Sequence, residues 1–303
     1  MTSRKALVTG GSGQVGSAIC RLAERHGFTV IAPPRDVLDL ASVDDIVAAI
    51  AAEDWAVIIN CAAYTGVDKA QSEPALANAI NRVAPGIFAS ESARRSIPLI
   101  HLSTDYVFDG TKATPYVEDD LVYPLGVYGA SKETGEAAVR AYGTRYAIVR
   151  TAWVLSAGDR NFIDTMLRLG ADRDEIAVVD DQRGCPTSAT DIAQAVLVVA
   201  ARMTGSGSIS SGTWHFVNSG SATWHELAAF IFEAAAAKGI KVPELKAIKT
   251  ADYPTPTRRP ANSQLDTARI TRDFGIVPRA WQDAIGDILV ERFAGPDTAK
   301  SAI

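Results

Sequence analysis

The feature that most constrains this chain lies near its N-terminus, where the apolar run Lys5 to Thr9 (KALVT) breaks into Gly10-Gly11-Ser12-Gly13-Gln14-Val15-Gly16 and then into a helical pattern of Ala18, Ile19, Leu22 and Ala23. Strand, glycine turn and helix in that order open a β-α-β unit. Glycines at 10, 13 and 16 form a G-x-x-G-x-x-G variant of the dinucleotide fingerprint. Missing side chains let backbone N–H groups and the helix N-terminus approach a pyrophosphate, which makes Gly10, Gly13 and Gly16 candidate cofactor contacts. An ordinary glycine-rich turn is the alternative, and the flanking strand and helix favour the cofactor.

The same rhythm continues downstream. Phe28 to Ala32 (FTVIA), Ala56 to Asn60 (AVIIN), Pro98 to Leu102 and Tyr146 to Arg150 (YAIVR) read as strands, with helical patterns at Val43 to Ala52 and Pro74 to Arg95 between them. This alternation predicts an α/β fold with a Rossmann-like, doubly wound parallel sheet, which binds ligands at the carboxyl ends of its strands. The second strand should end at the adenosine ribose, where an acid suits NAD and a base suits the 2′-phosphate of NADP. Arg35 there favours NADPH, while the adjacent Asp36 leaves NADH open and a solvated Arg-Asp pair is the bland alternative.

Two further candidates sit past strand ends. The fourth strand runs into Ser103-Thr104-Asp105-Tyr106, where the Thr104 hydroxyl is placed to bond a substrate carbonyl or to cap the next turn. Trp153 follows the fifth strand, placed either to wall a sugar pocket or to pack in the core. Between these strands, after a loop from Asp109 to Leu125, Tyr128-Gly129-Ala130-Ser131-Lys132 opens a helix reaching about Tyr142. Tyr128 and Lys132 share one helical face. A phenol with a free pKa of about 10 is a poor acid near neutrality, and a neighbouring ammonium is expected to lower that value, making Tyr128 a general acid. A surface tyrosine beside a solvated lysine is the alternative.

The alternation fades beyond Leu155. Asn161-Phe162 opens a helix to about Leu169, Ile176 to Val179 is a short strand, and Thr187 or Ser188 can cap a helix over Asp191 to Arg202. Asn161, Gln182 and Arg183 are candidate nucleotide or diphosphate contacts, with a solvated loop as the alternative for the last two. Met203 to Gly212 reads as a Gly/Ser surface loop, Trp214 to Val217 as a strand, and Thr223 as the cap of an alanine-rich helix through Ala237. Arg258 and Arg259, in the proline-pinned loop Tyr253 to Pro260, offer positive charge for a diphosphate or form a solvated basic loop. A last helix spans Trp281 to about Phe293.

Composition removes several classes of partner. A net charge of −5 with no dense Lys/Arg run offers no surface for nucleic acid or an anionic membrane. No apolar run reaches the roughly 18 residues of a membrane span, and Met1 to Lys5 leads straight into a strand rather than a signal-peptide core, so the expected location is the cytoplasm. Cys20, Cys61 and Cys185 fit neither a disulfide framework nor a zinc motif and read as buried thiols. His215 and His225 lack an acid-cysteine cluster, so no metal is expected.

Together the glycine pattern, Asn60 to Asp68 (NCAAYTGVD), Ser103 to Gly110 (STDYVFDG), Tyr128 to Glu136 (YGASKETGE), Arg150 to Val154 (RTAWV) and Val178 to Thr187 (VVDDQRGCPT) resemble the extended short-chain dehydrogenase/reductases. Within that family the chain is most similar to the dTDP-4-dehydrorhamnose reductase subfamily, from about residue 5 to about residue 292. The resemblance implies an NADPH or NADH hydride donor, a dTDP-linked 4-keto-6-deoxy sugar as substrate, and a catalytic set of Thr104, Tyr128 and Lys132. It also implies nucleotide contacts at Gly13, Gln14, Val15, Asp39, Leu40, Ala62, Ala63 and Thr65, and sugar contacts at Asp105, Tyr106 and Trp153. Some members dimerise, so a homodimer is an open expectation, and relatives that serve as non-catalytic regulatory subunits supply an alternative function. The expected organisation is a dinucleotide-binding domain over 1–154, rejoined by parts of 188–220, a smaller mixed substrate-binding domain over 155–293, and a disordered tail from 294.

Overall fold

A computed structural model describes residues 4–158, 161–205 and 210–294 of the 303. In its N-terminal half, β1 (Arg4–Thr9), α1 (Gln14–Leu22), β2 (Phe28–Ile31), α2 (Val43–Ala51), β3 (Val57–Asn60), α3 (Pro74–Asn78), α4 (Ala84–Arg94), β4 (Leu99–Thr104), α5 (Val127–Tyr142) and β5 (Tyr146–Thr151) follow in order. Then come β6 (Val154–Leu155), α6 (Phe162–Asp172), β7 (Glu175–Val179), β8 (Arg183–Gly184), β9 (Thr187–Ser188), α7 (Ala189–Thr204) and β10 (Gly212–His215). The chain ends with β11 (Ala222–Thr223), α8 (Trp224–Ala236), β12 (Glu244–Ile248), α9 (Ala268–Phe274) and α10 (Trp281–Ala294).

The central sheet is parallel throughout, in the order β10-β5-β4-β3-β1-β2. From β1 the chain moves one way to β2 and then crosses back to β3, so the carboxyl ends of β1 and β3 flank the switch point where such sheets open a crevice. The expected doubly wound Rossmann-like sheet is borne out.

Its strands are apolar on both faces because both are covered. Along each strand, odd and even residues divide the work. Ala6, Val8, Val57, Ile59, Ile100, Leu102, Ala147 and Val149 pack under α1 and α7, whereas Leu7, Ile58, Leu99 and Ile148 pack under α2, α4 and α5. A second core, built by Ile163, Met166, Leu227, Ile231, Phe232, Ile285 and Leu289, joins α6, α8 and α10 to the parallel pair β7–β12. That lobe sits over the sheet's carboxyl edge.

Several local expectations change. Pro74 to Arg95 is not one regular helix, because a π-helical turn over Ala79–Val83 separates α3 from α4. Pro85 has no N–H to give to the Asn81 carbonyl, and the wider turn absorbs the missing bond. The strand expected at Trp214 to Val217 starts two residues earlier, at Gly212, in register with Ala147. Ser188, not Thr187, caps α7. Only Cys185 of the thiols is buried; Cys20 is exposed, since Val15, Ala18, Ile19 and Leu22 occupy the inner face of α1. Helix α7 runs on to Thr204 and α10 to Ala294, while residues 206–209 of the expected loop and 295–303 of the expected tail lie outside the described residues.

Candidate active site

Gly10 turns the chain out of β1 with φ +69°, a left-handed conformation that glycine adopts without strain. A Cβ on Gly16 would lie 2.0 Å from the Gly10 carbonyl oxygen, so the turn can close onto the first turn of α1 only without a side chain there. Gly13 is the N-cap of α1 and supplies no side-chain cap, and the first turn of the helix holds no acid. Its leading N–H groups therefore face the crevice ready for an anion.

A continuous trough starts at this turn. One end, about 310 Å³, is lined by Gly10, Ser12, Arg35, Asp39, Leu40, Ala62 and Ala63. The other end, about 450 Å³, is lined by Gly13, Gln14, Val15, Gly16, Thr65, Tyr128 and Lys132, and the two ends share Gly10, Ser12, Ala62 and Ala63. Every residue expected to meet the cofactor is thus brought to one surface. The register left open at the second strand also resolves: Arg35 lines the trough and Asp36 does not. The glycine cradle, the uncapped helix and the guanidinium of Arg35, which has no partner among the described residues, fit a dinucleotide with a 2′-phosphate.

Tyr128 and Lys132 sit on the first turns of α5, facing the sheet edge. Burial pushes the Tyr128 phenol up to about 12, against the Thr104 hydroxyl, which pulls the other way. The lowering by a neighbouring ammonium expected from the Tyr–Lys spacing does not appear: loss of water around the phenolate and the Asp105 charge raise the value, and the Thr104 hydroxyl alone pulls it down. Burial also brings Lys132 down to about 8, against the favourable charge of Glu136. Its ammonium donates to the Leu102 carbonyl at 2.7 Å and lies 3.3 Å from His101 Nε2.

His101 is fully buried and was not singled out from the sequence, where it is one polar letter in an apolar strand. Its Nδ1 lies 3.1 Å from Asn60 Nδ2, and the Asn60 amide oxygen takes the Thr9 hydroxyl at 2.6 Å. Thr9 in turn accepts from the Ala62 N–H at 3.1 Å. The ends of β1, β3 and β4 are thereby tied to Lys132 by one buried polar chain. Asn81, on the π turn, braces the opposite side by donating to the Ser131 hydroxyl and to the Tyr64 carbonyl.

The residues expected to meet the sugar nucleotide divide into two groups. Thr104 donates to Asp105 at 3.0 Å and accepts from the Tyr106 N–H, and the Tyr106 ring stands edge-on to Tyr128 at 5.9 Å. Trp153, with φ +44°, stacks on Trp224 at 3.5 Å, and Asn161 both caps α6 and donates to Gln14 at 3.1 Å. None of the four lines the trough itself, but Thr104 and Trp153 adjoin its lining residues Ser103 and Val154 in the chain, and Tyr106 and Asn161 touch Tyr128 and Gln14 there. Gln182 and Arg183 do not line it: Gln182 donates to Thr250, and Arg183 pairs with Glu226 and Ser221, all inside the smaller lobe. Among the described residues no group of three or more His, Cys, Asp or Glu could hold a metal ion, and no helix is long and apolar enough to cross a membrane.

Comparison with known proteins agrees with this geometry. The sequence profile described as "RmlD substrate binding domain" matches residues 4–293. The chain belongs to the RmlD family. One relative, dTDP-4-dehydrorhamnose reductase of Sinorhizobium fredii, is 42% identical over 284 residues, covering 92% of this chain and 95% of the relative. Among solved structures, the dTDP-4-dehydrorhamnose reductase of Bacillus anthracis in complex with NADP superposes with a TM-score of 0.88 at 30% identity, over 96% of this chain and 100% of the other. The orthologue from Clostridium acetobutylicum gives the same TM-score at 34% identity, with the same coverage. This RmlD-family chain thus shares its fold with the NADP-complexed relative over the whole length of that protein.

Proposed function

We propose that this protein reduces the C4 ketone of dTDP-4-dehydro-L-rhamnose to give dTDP-L-rhamnose, with Thr104, Tyr128 and Lys132 as its catalytic residues. The observation that carries the reading is the meeting of the glycine cradle with Tyr128 and Lys132 in one trough. The 42% identical relative and the NADP-complexed structural neighbour support it. Gly10, Gly13, Gly16 and the α1 N-terminus would hold the pyrophosphate of NADPH, and Arg35 the 2′-phosphate. When bound, the nicotinamide supplies the hydride.

The chain's own residues supply the rest. Tyr128, with its phenol pushed up to about 12, keeps its proton at neutral pH and has one to give to an alkoxide forming at C4. Lys132, brought down to about 8, is still mostly cationic at pH 7 and stabilises negative charge arriving one helical turn away on Tyr128. Thr104, beside the phenol, is placed to polarise the ketone oxygen. The smaller lobe of α6, α8, α10 and the β7–β12 pair would seat the sugar nucleotide against Tyr106, Trp153 and Asn161. Three unpaired cysteines and a need for NADPH suit the cytoplasm.

The test is nucleotide-dependent NADPH oxidation by the purified protein and by Tyr128→Phe, with product configuration at C4 read by NMR. Loss of the acid should lower kcat by about 10² to 10⁴. Equal rates for the two proteins would overturn the assignment.

A further inference from the structure

The loop Tyr253 to Pro260 leaves the smaller lobe and reaches the segment after β3. Thr257, 2% exposed, donates its hydroxyl to the Val67 carbonyl at 3.1 Å and its N–H to Asp68 Oδ1 at 3.2 Å. Arg259 donates to Asp68 Oδ2 at 2.8 Å and to the Thr257 carbonyl at 3.2 Å. Asp68 opens the turn Lys69–Gln71, so one carboxylate joins segments 191 residues apart in sequence.

Both sides of this join press on the same residue. Gly126 is the N-cap of α5, two positions before Tyr128, and offers no side chain of its own to fix the helix start. A Cβ at Gly126 would lie 2.5 Å from Thr257 Cγ2 on one side and 3.3 Å from Gln71 Nε2 on the other. Thr257, Gly129, Tyr106 and Tyr128 also line one small recess beneath the loop. A half-exposed ion pair such as Asp68–Arg259, 41% and 17% exposed, contributes little stability by itself. What it gains by closing here is geometric, since a displacement of about 1 Å in a catalytic group can cost roughly a hundredfold in rate.

We propose that Asp68, Thr257 and Arg259 are positioning residues that clamp the start of α5 and thereby fix the Tyr128 phenol for proton transfer. The proposal rests on the reductase reading above. Arg259 is then spent on Asp68 rather than free for a diphosphate, which leaves Arg258 as the exposed cation of that loop.

The experiment is a double-mutant cycle of Asp68→Ala and Arg259→Ala in the full chain, with kcat, KM for the sugar nucleotide and the NADPH dissociation constant measured separately. Each single change should lower kcat by about tenfold and leave NADPH binding within about twofold, and the double variant should be no slower than the slower single, as for two parts of one device. Wild-type kcat in the singles, or a double loss equal to the product of the two, overturns the clamp. A size exchange checks the contact itself: Gly126→Ala should lower kcat and added Thr257→Ser, which removes the methyl and keeps the hydroxyl, should restore most of it. No recovery in a folded double variant counts against the proposal. If the wild-type protein turns over no keto-sugar nucleotide, the reductase reading fails and amide exchange decides the clamp alone: peptides covering 126–132 should exchange about tenfold faster in both single variants. Unchanged exchange there overturns it.

Discussion

Lys132 is buried and Tyr128 half-buried, and loss of surrounding water moves them in opposite directions because in each case it disfavours the charged form. The phenol goes up to about 12 and the ammonium down to about 8. The acid therefore keeps its proton in the resting enzyme, and the lysine sits close to the limit at which it would lose its charge. Asp105, beside them and 3% exposed, is a third case: burial pushes its carboxyl up to about 6 from an ordinary 3.8, against the Ser263 and Thr104 hydroxyls. A raised folded-state value means that the folded protein binds this proton more tightly than the unfolded chain does. The associated stability is complete below pH 3.8 and is lost as pH rises through about 6, a loss on the order of 3 kcal/mol. Asp105→Asn carries no such loss. Its Tm should exceed that of the wild-type protein above pH 7 and approach it near pH 4, as followed by circular dichroism; parallel profiles across that range would contradict the assignment.

At the level of elements, the start of the catalytic helix is fixed by glycines and by its neighbours rather than by its own propensity. Gly129 packs against the Tyr106 carbonyl, and Gly135 packs against the carbonyl of Asn81, where a Cβ would come within 2.0 Å of that oxygen. The Asn81 carbonyl protrudes because it lies in the π turn ahead of Pro85. Alanine is a better helix former than glycine by about 0.8–1 kcal/mol, but overpacking against backbone costs about 1–3 kcal/mol or more. Gly135→Ala should therefore lower the free energy of unfolding by about 1–2 kcal/mol in urea titrations. A rise would place the Asn81 carbonyl elsewhere. The long apolar helix over 74–95 was legible in sequence, whereas its π turn was not, since only the pressing of Asn81 on Gly135 and Ser131 says what the irregularity is for.

For the whole molecule, the sheet's second face depends on chain that returns late. Ile192, Val196, Leu197 and Val199 of α7 are fully buried against α1 and the strands. At about 1.5–3 kcal/mol each, those four side chains contribute roughly 6–12 kcal/mol, comparable to the entire stability of an ordinary domain. A fragment of residues 1–154, which contains the whole glycine turn and catalytic set, should therefore give no cooperative thermal transition and should bind an apolar dye, while the full chain melts cooperatively. A cooperative melt of the fragment would show that α7 and β10 are dispensable. The elements of the sheet, the glycine cradle and the Tyr128/Lys132 pair are legible without the fold, because period, turn chemistry and helical spacing are local. Long-range packing is what turns Arg35 rather than Asp36 to the trough, brings His101 to Lys132, points Gln182 and Arg183 away and carries Arg259 across to Asp68. Each of these depends on segments far apart in the chain meeting at the sheet's carboxyl edge, and on a burial that no neighbouring residue encodes.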